Sequence, residues 1–144
     1  MAIVSGQDSE TIFTKIIKGE IPCQRVFENE HVLAFLDIAP LAEGHTLVIP
    51  KCQVERLEDL PPETAAEIAR QLGPIARRIL AATGAEGYNI LQNNGKVAGQ
   101  EVPHVHFHII PRRPGDGLGY RWNARPADPQ ALADLAERIR AASG

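Results

Sequence analysis

Hydrophobic positions follow two rhythms along the chain, a helical one near both ends and in the middle, and a period of two between them. Ile12, Phe13, Ile16 and Ile17 fall on one side of a helix that Ser9 is expected to cap and that runs to about Lys18, with Gly19 ending it. Two strand-like runs follow, Gln24 to Phe27 and Val32 to Leu36, joined at Glu28-Asn29-Glu30 as a hairpin. A third strand, Thr46 to Ile49, stops at Pro50. The rhythm then turns helical from about Glu63 to Ala82, where Ile68, Leu72, Ile75 and Ile79 form a core-facing stripe. Gly73-Pro74 sits inside it. A proline there removes a backbone bond at a cost of about 3 kcal/mol or more, so a kink or two shorter helices are expected before Thr83-Gly84 closes the element.

Tyr88 to Gln92 alternates as a strand and delivers Asn93-Asn94-Gly95. The sharpest alternation is His104-Val105-His106-Phe107-His108-Ile109-Ile110, ended by Pro111. In a strand, His104, His106 and His108 line one face while Val105, Phe107 and Ile109 line the other, which goes to a core. Asp128-Pro129 opens a last helix with Leu132, Leu135 and Ile139 on one side.

Composition narrows the class. A chain of 144 residues suits a single domain, and 44% hydrophobic with 23% charged residues lies in the globular range. A net charge of −3 and a pI near 5.9 argue against a dedicated nucleic-acid binder, so no nucleic-acid partner is expected. Residues 1–8 lack the basic start and long apolar core of a signal peptide, and no run approaches a membrane span. A cytoplasmic protein without a membrane partner is expected. Cys23 and Cys52 are too few and too far apart to suggest a redox motif, and read as small, partly buried residues.

The histidine row carries the candidate chemistry. A merely solvated strand face would be served as well by Thr, Lys or Glu. A metal site is a sharper alternative, since His-x-His on a strand can present two imidazole nitrogens to one ion, with His45, His31, Glu101 or Cys52 as further ligands. The third reading is nucleophilic catalysis by the central histidine. A neutral imidazole near pH 7 can attack phosphorus without a separate base, while its neighbours stabilise phosphoryl charge and hand a proton to the leaving group. Other positions are weaker alone. Asp37 before a turn is an ordinary turn-former, His45 serves equally as a structural histidine, and Asn94-Gly95 is explained by a plain hairpin turn.

Taken together the blocks are specific. The row matches the His-φ-His-φ-His-φ-φ signature (φ, apolar) of the histidine triad, or HIT, family of nucleotide hydrolases and transferases. Ile12 to Pro22, Ala34 to Pro40, Gly44 to Lys51 and Gly99 to Pro103 resemble the family's other blocks in the family's order. The resemblance covers about residues 9–114, leaving 115–144 as a tail with the last helix. It implies an α+β fold, an antiparallel meander sheet flanked by helices and extended across a homodimer. The activity implied is cleavage at the α-phosphate of nucleoside 5′-phosphate derivatives through a nucleotidyl-histidine, with dinucleoside polyphosphates and nucleoside phosphoramidates as competing substrates. A nucleotide-binding module with little turnover is the alternative from another class.

Residue by residue, the resemblance makes His106 the nucleophile, with His104 orienting the row and His108 and His45 on the phosphate side. Phe13 and Ile16 wall the nucleoside pocket, Asp37 binds the ribose hydroxyls, and Asn93, Gly99 and Gln100 contact phosphate or ribose. No cofactor or catalytic metal is implied. Departures from the pattern matter. Many prokaryotic relatives place a structural zinc on Cys-x-x-Cys and a histidine where this chain has Thr11, Thr14 and Gln53, so no structural zinc is expected. Glu101 stands where relatives carry Ser or Thr, and is expected to weaken binding of extra phosphates or alter leaving-group preference. The tail lacks the Trp-Pro-Pro-Gly ending of the compact phosphoramidase branch and looks more like the prokaryotic HIT proteins. Its Trp122 is a candidate for stacking on a base or leaving group, or for packing.

Overall fold

The computed structural model describes residues 9–119 and 124–143, so Trp122 and residues 1–8 lie outside the described residues. At its centre is a five-stranded antiparallel sheet. Its strands are β1 (Arg25–Glu28), β2 (Val32–Leu36), β3 (Thr46–Pro50), β4 (Gly87–Gln92) and β5 (Phe107–Arg112). The helices are α1 (Ile12–Ile17), α2 (Pro62–Thr83) and α3 (Pro129–Ala141). The chain is thus α+β, with an antiparallel sheet and flanking helices. Strands β1, β2 and β3 form consecutive hairpins. Helix α2 then carries the chain across the sheet, so that β4 takes the edge and β5 inserts between β3 and β4.

Both faces of the sheet are covered, which explains why β2 and β3 read as continuous apolar runs rather than alternating ones. On one face Val32, Ala34, Val48, Val105 and Ile109 pack with Ile68, Ile75, Ala76 and Ile79 of α2. On the other, Leu33, Phe35, Leu47 and Ile49 pack with Phe13 of α1. Because His108 alternates with Ile109, its side chain stands on the α1 face. The site therefore lies opposite the long helix.

Four expectations are corrected. The cap of α1 is Thr11, whose Oγ1 accepts from the Thr14 N–H at 3.1 Å, and not Ser9. Helix α2 runs through Gly73-Pro74 as one element. Both residues are exposed, so the Arg70 carbonyl that Pro74 cannot bond lies on the wet side of the helix, while four buried side chains hold the other side in place. Pro111 lies inside β5, paired with Tyr88, because β3 has already ended at Thr46↔Ile109 and offers no partner for the missing N–H. Finally, Cys52 is exposed and only Cys23 is half-buried; both are free thiols.

Gly44 fixes the turn that leads into the site. Its φ of +91° favours glycine, and a Cβ there would come within 3.0 Å of Ile79 Cγ2 and Thr83 Cγ2. The chain can thus pass close over α2 and present His45 at the start of β3. Later in the chain, Asp128 caps α3 by accepting from the Ala131 N–H at 3.0 Å, and Leu132, Leu135 and Ile139 stay exposed. Among the described residues no helix is long and apolar enough to cross a membrane.

Candidate active site

Regular pairing begins only at Phe107. His104, Val105 and His106 precede β5, held by loop bonds, with the His104 N–H donating to the Val102 carbonyl at 2.8 Å and the Val105 N–H to the Val54 carbonyl at 2.7 Å. The expectation of one strand across the whole row is corrected accordingly. The alternation of faces survives, since Val105 and Ile109 are in the α2 core while the His104 and His106 rings meet Phe13 of α1 and His108 meets His106. His106 meets two rings edge-on, Phe13 and His108, each with its centroid 5.0 Å away.

The hydrogen-bond partners fix where each imidazole carries its proton. His106 Nδ1 faces the His104 carbonyl at 2.7 Å, an acceptor, so Nδ1 holds the proton and Nε2 carries a bare lone pair. The Leu41 N–H donates to His45 Nδ1 at 3.0 Å, which puts the His45 proton on Nε2. That proton is donated to His108 Nδ1 at 2.9 Å, leaving the His108 proton on Nε2. His104 Nε2 donates to the Pro50 carbonyl at 3.0 Å. Every buried side-chain nitrogen and oxygen among the described residues has a partner. Because the bonds of His106 and His108 run through Nδ1, their Nε2 atoms must reach the surface. Two neighbouring imidazoles thus present one bare nitrogen and one N–H side by side.

Electrostatics keep the row neutral. Burial pushes His45, His104 and His106 below the usual imidazole range. His108 is held at about 4, first by burial and then by its His106 and His45 neighbours. The charged side chains acting on these rings, among the described residues, are carboxylates. Asp37 acts on His45, His106 and His108, and Glu101 on His106. The basic pair after the row is spent elsewhere. Arg112 forks onto Asp116 at 2.8 and 2.9 Å and reaches Asn89, and Arg113 binds the Thr83 carbonyl.

The remaining candidates divide into those at the row and those that hold its loops. Phe13 is buried, and Ile16 packs half-buried in the same cluster. Asp37 is indeed a turn-former, its Oδ1 accepting from the Ala39 N–H at 2.9 Å, while its Oδ2 lies 3.6 Å from His45 Nε2. Asn93 reaches the carbonyl of Gly99, whose φ of +94° closes the Lys96–Ala98 turn. Gln100 is buried with its amide occupied. Its Oε1 accepts from the Gly95 N–H at 2.7 Å, and its Nε2 donates to the carbonyls of Glu55 and Val102. These bonds brace the loop that leads into the row. Sequence reasoning missed the partners that set the protons, namely the Leu41 N–H, the Pro50 carbonyl and the Thr11 hydroxyl. Only the last had a signal, since Thr is a favoured cap residue.

Asp37, His45 and His108 could hold an ion by position, as one ligand atom from each lies within 4.8 Å of the others. The proton on His45 Nε2 opposes this, because a ligating nitrogen must be bare and the Leu41 N–H already occupies the other ring nitrogen. The donor set suits a hydrogen-bonded relay better.

An antiparallel α+β fold carrying a neutral histidine row, with His104 and His106 buried, His108 half-buried and one nitrogen bare at the surface, defines a histidine-row class of protein. The family model described as HIT domain matches residues 18–115. An adenosine 5′-monophosphoramidase of Schizosaccharomyces pombe is 46% identical over 129 residues, which cover 89% of this chain and 94% of that protein. Among solved structures, a HIT family member from Bacillus subtilis superposes with a TM-score of 0.88 at 43% identity, covering 94% of this chain and all of that one. A histidine triad family protein from Mycobacterium smegmatis, described as zinc-bound, has a TM-score of 0.72 at 42% identity and covers 91% of this chain and 96% of its own. The chain belongs to the HIT family.

Proposed function

We propose that this chain is a nucleotide hydrolase that cleaves nucleoside 5′-phosphoramidates at the α-phosphorus through a covalent nucleotidyl-His106. The single observation that carries the reading is the pairing of a bare His106 Nε2 with the outward His108 Nε2–H. His106 Nε2 attacks phosphorus while its Nδ1–H, bonded to the His104 carbonyl, disperses the positive charge that forms on the ring. His108 Nε2–H donates to a non-bridging phosphoryl oxygen. The P–N bond breaks with its electron pair on nitrogen, which takes a proton from water and leaves as the amine. Water then attacks the adduct, restoring the His106 lone pair and releasing the nucleoside monophosphate.

Relatives named adenosine 5′-monophosphoramidase support this substrate class. Asp37 is the candidate for the ribose diol, since a carboxylate accepts two hydrogen bonds, and Phe13 with Ile16 for the nucleoside wall. A homodimer is part of the reading. What supports it is the edge position of β4, which leaves Tyr88 and Ile90 about two-fifths exposed. Rapid quench with nucleobase-labelled adenosine phosphoramidate is the test. The labelled nucleotide is expected on the protein in an acid-labile, base-stable linkage within the first turnover. Steady-state turnover with no such adduct at any quench time removes the covalent route, and tight binding without turnover favours the binding-module alternative.

The field at the row favours a phosphoramidate over a polyphosphate. Two carboxylates act on His106, and the extra phosphates of a polyphosphate would approach them as like charges. Replacing Glu101 by Ser is expected to raise kcat/KM on diadenosine polyphosphates relative to adenosine phosphoramidate by roughly tenfold. The gain should shrink at high salt, because an exposed carboxylate acts through solvent. An unchanged ratio between the two substrates would remove Glu101 from selectivity.

A further inference from the structure

Thr11 enters the histidine row from behind, at the cap of α1. It is 8% exposed and stands where several bonds cross. Its Oγ1 accepts from the Thr14 N–H at 3.1 Å and lies 2.9 Å from His104 Nδ1. Its own N–H donates to Gln53 Oε1 at 2.9 Å, the Thr14 hydroxyl donates to the same oxygen at 2.5 Å, and Gln53 Nε2 donates to the Ser9 carbonyl at 2.8 Å. The cap is therefore tied to the strand-end loop and cannot turn away.

The direction of the Thr11–His104 bond follows from the other nitrogen. His104 Nε2 faces a carbonyl and must hold the ring proton, so Nδ1 can only accept. The hydroxyl has one proton to give. Its competing acceptor, Thr14 Oγ1, is at 3.4 Å, so the proton goes to His104 Nδ1. A cap needs an oxygen that accepts, and here the same oxygen must also donate. Of the usual cap residues, Ser and Thr do both with one atom, and Asp cannot.

We propose that Thr11 is a positioning residue for the nucleophile: its hydroxyl proton keeps His104 neutral and in the Nε2–H form, which holds the His104 carbonyl on His106 Nδ1–H and so leaves the His106 lone pair on Nε2. The chain of cause runs through three bonds of 2.9, 3.0 and 2.7 Å. Thr11 acts only through His104 and His106. The inference rests on His106 being the nucleophile, but its first readout does not.

That readout is long-range ¹H–¹⁵N correlation of the histidine side chains in the ligand-free protein. His104 is expected to show a bare Nδ1 and a protonated Nε2 in the wild type, and a protonated Nδ1 there overturns the proposal before any variant is made. Thr11→Asp keeps an accepting cap oxygen and removes the donor. His104 is then expected to hold protons on both nitrogens, beside the new carboxylate, and kcat on adenosine phosphoramidate to fall roughly 10- to 100-fold with KM changed less than threefold. Thr11→Val, which loses both functions, should lose kcat at least as far, and Thr11→Ser should recover most of it. A merely structural cap predicts the reverse order, with Thr11→Asp near wild type in both spectrum and kcat. That outcome also overturns the proposal. Failure of the quench experiment with an intact His104 spectrum would instead fall on the assignment of His106.

Discussion

Replacing His106 by glycine is expected to lower kcat on adenosine phosphoramidate by at least about 10⁴-fold and to abolish the quenched adduct. The size follows from what is removed. The bare Nε2 is the atom that forms the bond to phosphorus in this reading. The His108 Nε2–H that remains can stabilise phosphoryl oxygens but carries a proton where a lone pair is needed. Binding of nucleoside monophosphate should persist, because the candidate nucleoside contacts, Phe13, Ile16 and Asp37, are untouched. The glycine also leaves a ring-sized space beside Phe13 and His108, whose centroids each stand 5.0 Å from that of His106. Added imidazole should enter that space and restore part of the rate, and rescue should grow with imidazole concentration. Turnover within tenfold of wild type would show that the nucleophile lies elsewhere. Replacing His108 in the same background should cost little more, because residues that act as a unit are not additive.

How much of this was legible in the sequence differs from residue to residue. The alternation from His104 to Ile110 placed Val105 and Ile109 in one core and the imidazoles on the opposite face, which is where they are. It could not show that ladder pairing starts only at Phe107, because alternation reports side-chain direction and not which backbone groups bond. Pro74 is a local penalty, and the sequence states that penalty without the counterweight. Ile68, Ile75, Ala76 and Ile79 are buried along the same face and keep one helix across it. Ser9 and Thr11 are two hydroxyl residues two positions apart with the same capping ability. The choice between them is made by Gln53 and His104, which are 42 and 93 residues away from Thr11.

The proton positions were the least legible part. They depend on the Leu41 N–H and on the carbonyls of Pro50 and His104, groups that every residue or nearly every residue possesses. No pattern of side chains announces a main-chain partner. Arg112 and Arg113 mislead for the related reason that charge in a sequence does not say what it neutralises. One is forked onto Asp116, where the guanidinium holds that carboxyl far below its usual range, and the other ties the end of β5 to the end of α2. The site is consequently less positive than a phosphate-binding sequence would suggest, and the imidazole donor that the row presents at the surface is the His108 Nε2–H.

The neutral row carries a measurable stability consequence, expected to be the largest effect of pH on the fold above pH 4.5. In the unfolded chain each histidine titrates near its ordinary value of about 6.5, while in the folded protein His108 titrates at about 4 and His45, His104 and His106 are also pushed down. As pH falls below 6.5 the unfolded chain takes up protons that the folded protein refuses. Stability is then fully present above 6.5 and is lost as pH falls toward the folded values, at up to about 1.4 kcal/mol per pH unit for each such histidine. His108 alone supplies on the order of 2–3 kcal/mol between pH 6.5 and 4, its partial exposure allowing for some screening, and the other three add in the same direction. The shifted carboxyls of Glu28, Glu58 and Asp116 act in a different window, because their unshifted values of 4.5, 4.5 and 3.8 confine their effect to lower pH. Urea unfolding at pH 7 and pH 5 therefore isolates the histidines. The midpoint should drop by an amount equivalent to at least about 2 kcal/mol, and His108→Gln should remove about one histidine's share of that drop. Equal midpoints at the two pH values would mean that the folded row takes up protons as readily as the unfolded chain, which would overturn the burial-driven lowering of its histidines.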